Sequence, residues 1–266
     1  MEFVKAEIPV LSNAKSHRMN PLVPLVLPLV NPVHLDLIPF QRERLGLKKG
    51  FLVCNSNCAV VGVVVPLAAL QAKFGPIVEC EVFTEQAISG AGYPGVPSMD
   101  LVDNVIPFIS GEEEKLEVEA QKILGCLNDG ATGVDEQAEL RIGATCTRVP
   151  VTDGHMAYVS LRFKSRSRPS AKQAKQAMID YQPELQNFKA SFSGSGIKVF
   201  MDEDRPQPRL DRNTCNGYTI SVGRIREGQK DDHFDIRFAA LSHNTVIGAA
   251  GSSILNAEVA ISKGFV

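Results

Sequence analysis

Residues 50–74 read GFLVCNSNCAVVGVVVPLAALQAKF. Phe51-Leu52-Val53-Cys54 is a short apolar run of strand length, and Asn55-Ser56-Asn57-Cys58 is a polar turn. Beyond it Val60, Val61, Val64, Leu67, Ala68 and Leu70 recur at helical spacing as far as Phe74. The stretch predicts a buried strand, a tight turn, and a buried helix that starts at or just after Cys58. A thiol in that place feels the positive end of the helix dipole and the free backbone N–H groups, which favour thiolate and suit an oxyanion. Taken alone, Cys58 also reads as a small core hydrophobe.

Outward from this unit, strands and helices alternate. Upstream, Ile8 to Leu11 reads as a strand and Ser12 to Lys15 as a turn. Pro21 to Val30 reads as buried extended chain and His34 to Leu45 as a short helix. Downstream, Val78 to Thr84 is a strand, Ser89 to Gly95 a glycine-rich loop, and Gly111 to Leu124 a helix with acidic residues in its first turn. Cys146 to Val151 and Tyr158 to Phe163 read as strands flanking the turn Asp153-Gly154-His155. Ser170 caps a helix running to about Tyr181. Asp202 to Asn216 reads as a long surface loop, Tyr218 to Arg226 and Phe234 to Leu241 as strands, and Asn244 to Lys263 as a closing helix. The class is α/β or α+β with a mixed sheet.

The 266 residues are 44% hydrophobic, enough for a sizeable core, and carry a formal charge of −2. No basic excess points to nucleic acid, and no polybasic run points to a membrane surface. The most apolar stretch, Pro21 to Val30, is too short to span a bilayer and is interrupted by prolines. The six cysteines, at 54, 58, 80, 126, 146 and 215, form no C-x-x-C pair and have no histidine at zinc-ligand spacing, so reduced thiols in a cytoplasmic protein without a metal are expected. His155, beside Gly154, is placed to reach a pocket as acid or base; a turn histidine alone is more often solvated. Read alone, Arg148 is a surface cation, and Glu112 and Lys115 are a solvated helix end.

Longer motifs bring these residues together. Asn55-Ser56-Asn57-Cys58 resembles the nucleophile turn of aspartate-semialdehyde dehydrogenases, and Thr84 to Gly95 (TEQAISGAGYPG) resembles the family's second signature. Asp103 to Pro107, Gly111 to Lys115, Arg148 to His155, Asp204 to Asp211 and His243 to Gly251 are similar to further family segments, in the order of its fungal and archaeal branch. The resemblance runs from about residue 2 to the end. It implies a catalytic and dimerisation domain with a large mixed sheet, helices on one face, and a dimer or larger assembly formed across the sheet side. It implies Cys58 as nucleophile, His155 taking and returning protons, and Gln86 orienting the reacting groups. Arg148 would clamp the substrate carboxylate and Glu112 its ammonium. Lys115 and Arg18 would hold phosphate, with Asn57 beside the substrate.

The family's glycine-rich loop for NADP pyrophosphate has no counterpart here. Ser12, Asn13 and Asn244 are the candidate remnants of cofactor contact. The expected organisation is a Pro-rich remnant of the nucleotide-binding domain (1–50), the catalytic and dimerisation domain (51–241), and a C-terminal helix (242–266). A shortened gene and a natural loss of the cofactor domain both fit. The leading expectation is cofactor-independent covalent acyl or aldehyde chemistry at Cys58 and His155, on a small-molecule substrate in specialised metabolism. The alternatives are NADP-dependent dehydrogenation, retained or completed by a partner chain, and a non-catalytic regulatory subunit. Leu29 and Val33, apolar where the family carries acids, are expected near the surface that domain would cover.

Overall fold

Prolines 21, 24 and 28 deny backbone donors to the segment they punctuate, so only two of its residues join a sheet. The computed structural model describes residues 1–165, 168–192 and 194–266. Its first part holds α1 (Glu2–Lys5), β1 (Pro9–Ser12), β2 (Leu25–Val26), α2 (Ile38–Leu45) and β3 (Phe51–Asn55). These strands form a parallel sheet in the order β1-β3-β2. The Pro-rich segment is core: Leu25, Val26, Leu27 and Leu29 are fully buried. Leu29 therefore does not lie on an open surface as expected, whereas Val33 is exposed.

Helix α3 (Cys58–Phe74) follows, capped by the Asn57 side chain, which accepts from the Ala59 amide. Val60, Val61, Val63, Val64, Val65, Leu67 and Leu70 are all fully buried, so the helix is wrapped on most sides. Each such side chain contributes about 1.5–3 kcal/mol. The turn before Cys58 thus leads into a firmly anchored element. Pro66 stands inside the helix, and a side chain on Gly62 would meet Ser242.

The second sheet is built from β4 (Ile77–Gln86) and later strands. Between them lie α4 (Ser98–Leu101), α5 (Glu112–Ile123) and a small hairpin of β5 (Cys126–Leu127) with β6 (Val134–Asp135). Then come β7 (Arg141–Arg148), β8 (His155–Phe163), α6 (Ala171–Ile179), β9 (Ile197–Val199), α7 (Pro208–Asp211), β10 (Ile220–Glu227) and β11 (Ile236–Ser242). Its order is β7-β4-β8-β11-β10-β9. The two outer pairs are parallel and the three inner pairs antiparallel. Helices α3, α5 and α6 pack on one face, as the resemblance implied. On the other face the rings of Phe83 and Tyr158 stand 6.2 Å apart and partly exposed. The chain closes with a π turn, Val246–Ala250, and α8 (Gly251–Ser262).

Several boundaries differ from the sequence reading. β7 begins at Arg141 and ends at Arg148, because its register with β4 runs from Glu79 to Gln86, and Pro150 has no amide to extend it. The polar alternation from Arg141 to Thr145 hid the strand. His155 opens β8 rather than sitting in the turn. The chain reverses at Gly154, where φ is +99° and a side chain would be strained. Residues 202–216 are not simply a surface loop: α7 lies within them, and buried Asp211 pairs with Arg205 and accepts from the Gln207 amide. The closing helix is preceded by a π turn, in which Gly248 lies so near Cys58 that a side chain there would crowd its Cβ. The cap at Ser170 is present as a full capping box with Gln173.

Candidate active site

Five elements converge on Cys58. It is the first residue of α3, half-buried, with Sγ 3.3 Å from Nε2 of His155. The other ring nitrogen, Nδ1, accepts the Ala87 amide at 3.0 Å. Ala87 follows the end of β4, and its carbonyl accepts from Arg148 Nη1 at 2.7 Å. One residue thus contacts both His155 and Arg148. Gly90 closes the site: a Cβ there would lie 2.8 Å from Arg148 Nη1 and 2.9 Å from His155 Nε2. On the opposite side a Cβ on Gly248 would lie 3.0 Å from that of Cys58.

Helix α5 supplies a charged stripe at spacings of three, four and three residues. Glu112 accepts from Asn57 Nδ2 at 3.1 Å and pairs with Lys115; Gln86 Nε2 is 3.5 Å from its second oxygen. Glu119, one turn on, accepts the Asn57 backbone amide at 2.6 Å and pairs with Arg18 at 2.9 Å. Lys122 donates to the carbonyls of Arg18, Asn20 and Val23. Burial pushes its ammonium down to about 8. Burial also raises the Glu119 carboxyl, against the pull of Arg18 and the Asn57 amide. The sequence reading missed Glu119 and Lys122. Their signal was the continuation of the Glu112 and Lys115 spacing along one helix face.

The structure therefore gathers Cys58, His155, Gln86, Asn57, Arg148, Glu112 and Lys115, with Arg18 tied in through Glu119. The three remnant candidates make hydrogen bonds within the chain, though Asn13 does so only through its backbone and is exposed. Ser12 Oγ accepts the Ala14 amide, and the Asn13 carbonyl takes Arg18 Nη2. Asn244 joins Gly154 to Ser89. Among the described residues no group of His, Cys, Asp and Glu could hold a metal, and no helix is long and apolar enough to cross a membrane.

The expected acidification of Cys58 by its helix does not hold. Burial, and next the Glu112 carboxylate, push the thiol up to about 11, outweighing Arg148, Arg18 and the helix amides. Burial, then the charge of Arg148 and the nearby His243, push His155 down to about 3. The resting pair is thus thiol and neutral imidazole, not a thiolate–imidazolium pair. Alkylation runs through thiolate, whose share grows about tenfold per pH unit below the thiol pKa. The iodoacetamide rate at Cys58 is therefore expected to climb steadily from pH 7 past pH 9. A plateau near neutrality would show an ion pair instead.

Residues 67–247 match the protein family described as "Semialdehyde dehydrogenase, dimerisation domain". The whole chain is 72% identical to a protein of Aspergillus fumigatus named aspartate-semialdehyde dehydrogenase, of which it covers 74%. The chain belongs to the aspartate-semialdehyde dehydrogenase family. It is of the fungal type. Its identity to the Saccharomyces cerevisiae relative of that name is 45%, over 100% of the chain and 74% of the relative. A crystal structure of the Candida albicans enzyme with NADP superposes with a TM-score of 0.91 at 45% identity, covering 99% of this chain and 74% of that one. The family is an oxidoreductase family of amino-acid biosynthesis.

These relatives overturn the leading expectation. Identity as high as 72% to proteins named for the dehydrogenase favours retained dehydrogenase chemistry over a repurposed, cofactor-independent acyl reaction in specialised metabolism. The described residues do not by themselves form a pyrophosphate cradle. Where the parallel strand β3 leads into helix α3, the turn holds Asn55, Ser56, Asn57 and Cys58 instead of glycines.

Proposed function

We propose that the chain takes part in the phosphate-dependent oxidation of aspartate semialdehyde, with NADP as the nucleotide, and that these residues carry its covalent acyl half. The carrying observation is the contact of Cys58 Sγ with His155 Nε2, ringed by Arg148, Glu112 and Lys115. Cys58 forms the thioester with the aspartyl carbonyl carbon. Arg148 spends Nη1 on the Ala87 carbonyl, and the rest of its fork receives the substrate carboxylate. Glu112 receives the ammonium, which also removes one cause of the high thiol pKa. Gln86 and Asn57 hold Glu112 in place. Lys115 and Arg18 receive phosphate; Arg18 Nε is buried with no hydrogen-bond partner among the described residues. The open sheet face around Phe83 and Tyr158 is the proposed surface for a homodimer.

Residues 1–50, 51–241 and 242–266 are proposed as the nucleotide-side remnant, the catalytic and dimerisation domain, and the closing helix.

The test is exchange of labelled phosphate into aspartyl phosphate, with mass spectrometry of Cys58. Label exchange and an aspartyl adduct on Cys58 are expected. No exchange and no adduct, from protein whose Cys58 alkylates normally, would sink the reading. NADPH formation from aspartate semialdehyde, NADP and phosphate, followed in parallel, reports whether these residues also complete the redox half.

A further inference from the structure

Arg18 follows the turn Lys15–His17, in the irregular stretch between β1 and β2. Short local bonds shape that stretch: the Arg18 amide donates to Lys15 at 3.2 Å and the Asn20 amide to His17 at 3.1 Å. What pins it in place comes from α5. Lys122 Nζ donates to the carbonyls of Arg18 and Asn20 at 2.8 Å each, and to that of Val23 at 3.1 Å. An ammonium has three N–H groups, and all three are spent on the chain between Arg18 and Val23. Gln41 takes the Leu22 carbonyl among them at 2.7 Å. Lys122 is buried, so these carbonyls stand in for its water shell.

The side chain of Arg18 is held separately. Nη1 donates to Glu119 at 2.9 Å and Nη2 to the Asn13 carbonyl at 2.8 Å. Glu119 and Lys122 lie three residues apart, on one face of α5. One turn of helix thus grips Arg18 at two points, its main chain and its guanidinium. The charge of Arg18 reaches Cys58, where it favours thiolate. A guanidinium holds phosphate through directed N–H bonds, so its heading matters as much as its charge. We infer that Lys122 is a positioning residue for phosphate: by clamping the main chain at Arg18, Asn20 and Val23, it aims the Arg18 guanidinium toward the acyl site at Cys58. The inference rests on the proposed role of Arg18 as a phosphate ligand.

Lys122 does not itself bind phosphate, because its N–H groups are turned to carbonyls and buried. Helix α5 therefore supplies the two phosphate cations in different ways. Lys115 stands on the helix and pairs with Glu112 three residues away. Arg18 lies 101 residues from Glu119 in the chain and is brought to the same place through Glu119 and Lys122. Removing the ammonium should take away the share of phosphate affinity that comes from Arg18 and leave the share from Lys115. Methionine is the suitable replacement: it fills much of the buried stem but has no N–H. The three carbonyls then lose their donor, and the stretch that carries Arg18 is free to drift.

The test is binding of inorganic phosphate to the whole chain at about pH 7, where Lys122 keeps its proton. Phosphorus NMR follows it, since that reads weak affinities as well as tight ones. Wild type, Lys122→Met, Arg18→Gln and the two changes together are compared, each shown to be folded by circular dichroism. Lys122→Met is expected to weaken phosphate about tenfold. Added to Arg18→Gln, it is expected to change the affinity less than about twofold, because the residue it aims is gone. Losses that multiply would show Lys122 acting on the fold at large, and they overturn the inference. So does an unchanged affinity in folded Lys122→Met. If that variant does not fold, Lys122→Gln, with two N–H groups for three carbonyls, takes its place under the same two criteria. A wild type that binds no phosphate also overturns the inference, through the role given to Arg18. The aspartyl adduct on Cys58 decides the proposed function separately.

Discussion

Cys58→Ala is expected to lose phosphate exchange into aspartyl phosphate on the order of 10^4-fold or more, because a covalent path has no substitute for its nucleophile. None of the other five thiols can take over. Cys54, Cys80 and Cys146 are buried, and burial raises each of their pKa values. Cys126 and Cys215 are exposed, but neither lies on an element that faces His155. The substitution removes one sulfur from a half-buried position at a capped helix start, so the urea midpoint should change little. Loss of exchange with an unchanged midpoint assigns the chemistry to the thiol. A variant that still exchanges at a tenth of the wild-type rate would rule Cys58 out.

Glu119→Ala should give the largest loss of stability of any single charge removal here, about 3–5 kcal/mol. Both side chains of the Arg18–Glu119 pair are buried, at 7% and 2% exposure, so water cannot replace the missing partner. The change strands two groups at once: the Arg18 guanidinium, already short of a partner at Nε, and the Asn57 amide beside Cys58. A surface pair is the control. Lys164 and Glu139 are 57% and 64% exposed, and Glu139→Ala should cost less than about 1 kcal/mol. Urea unfolding of both variants checks the contrast. Equal midpoints for the two would show that Glu119 is not the anchor of the turn. The same variant should alkylate at Cys58 with altered kinetics, since Asn57 is the cap of α3.

The two expectations bear on different layers of the protein. Cys58 acts through its own chemistry. Glu119 acts by holding a helix start and a cation against one carboxylate. The charges on the inner face of α5 therefore divide by position. Glu112 and Lys115 reach the proposed substrate, while Glu119 and Lys122 hold the framework around it.

Local rules carried much of the fold. Strand, turn and helix from Phe51 to Phe74 were legible because apolar run length, a polar turn and helical spacing agree there. Ser170 was legible as a cap, since capping is an interaction within four residues. β7 was not, because its polar alternation gains strand geometry only by pairing with β4, some 60 residues earlier.

The site divides in the same way. Cys58, Gln86, Arg148 and His155 stood out by motif, and the tertiary structure brings them together. The sequence could not tell that Arg18 is tied to Glu119, since 101 residues separate them. Nor could it tell that the thiol is raised rather than lowered. The helix dipole is local and can be read from the chain, but burial and the Glu112 carboxylate come from packing and outweigh it. By itself the sequence determined which residue types are present and which short elements they form. Only the tertiary structure decided their protonation and hydrogen-bond partners, because desolvation and through-space charge depend on neighbours far apart in the chain.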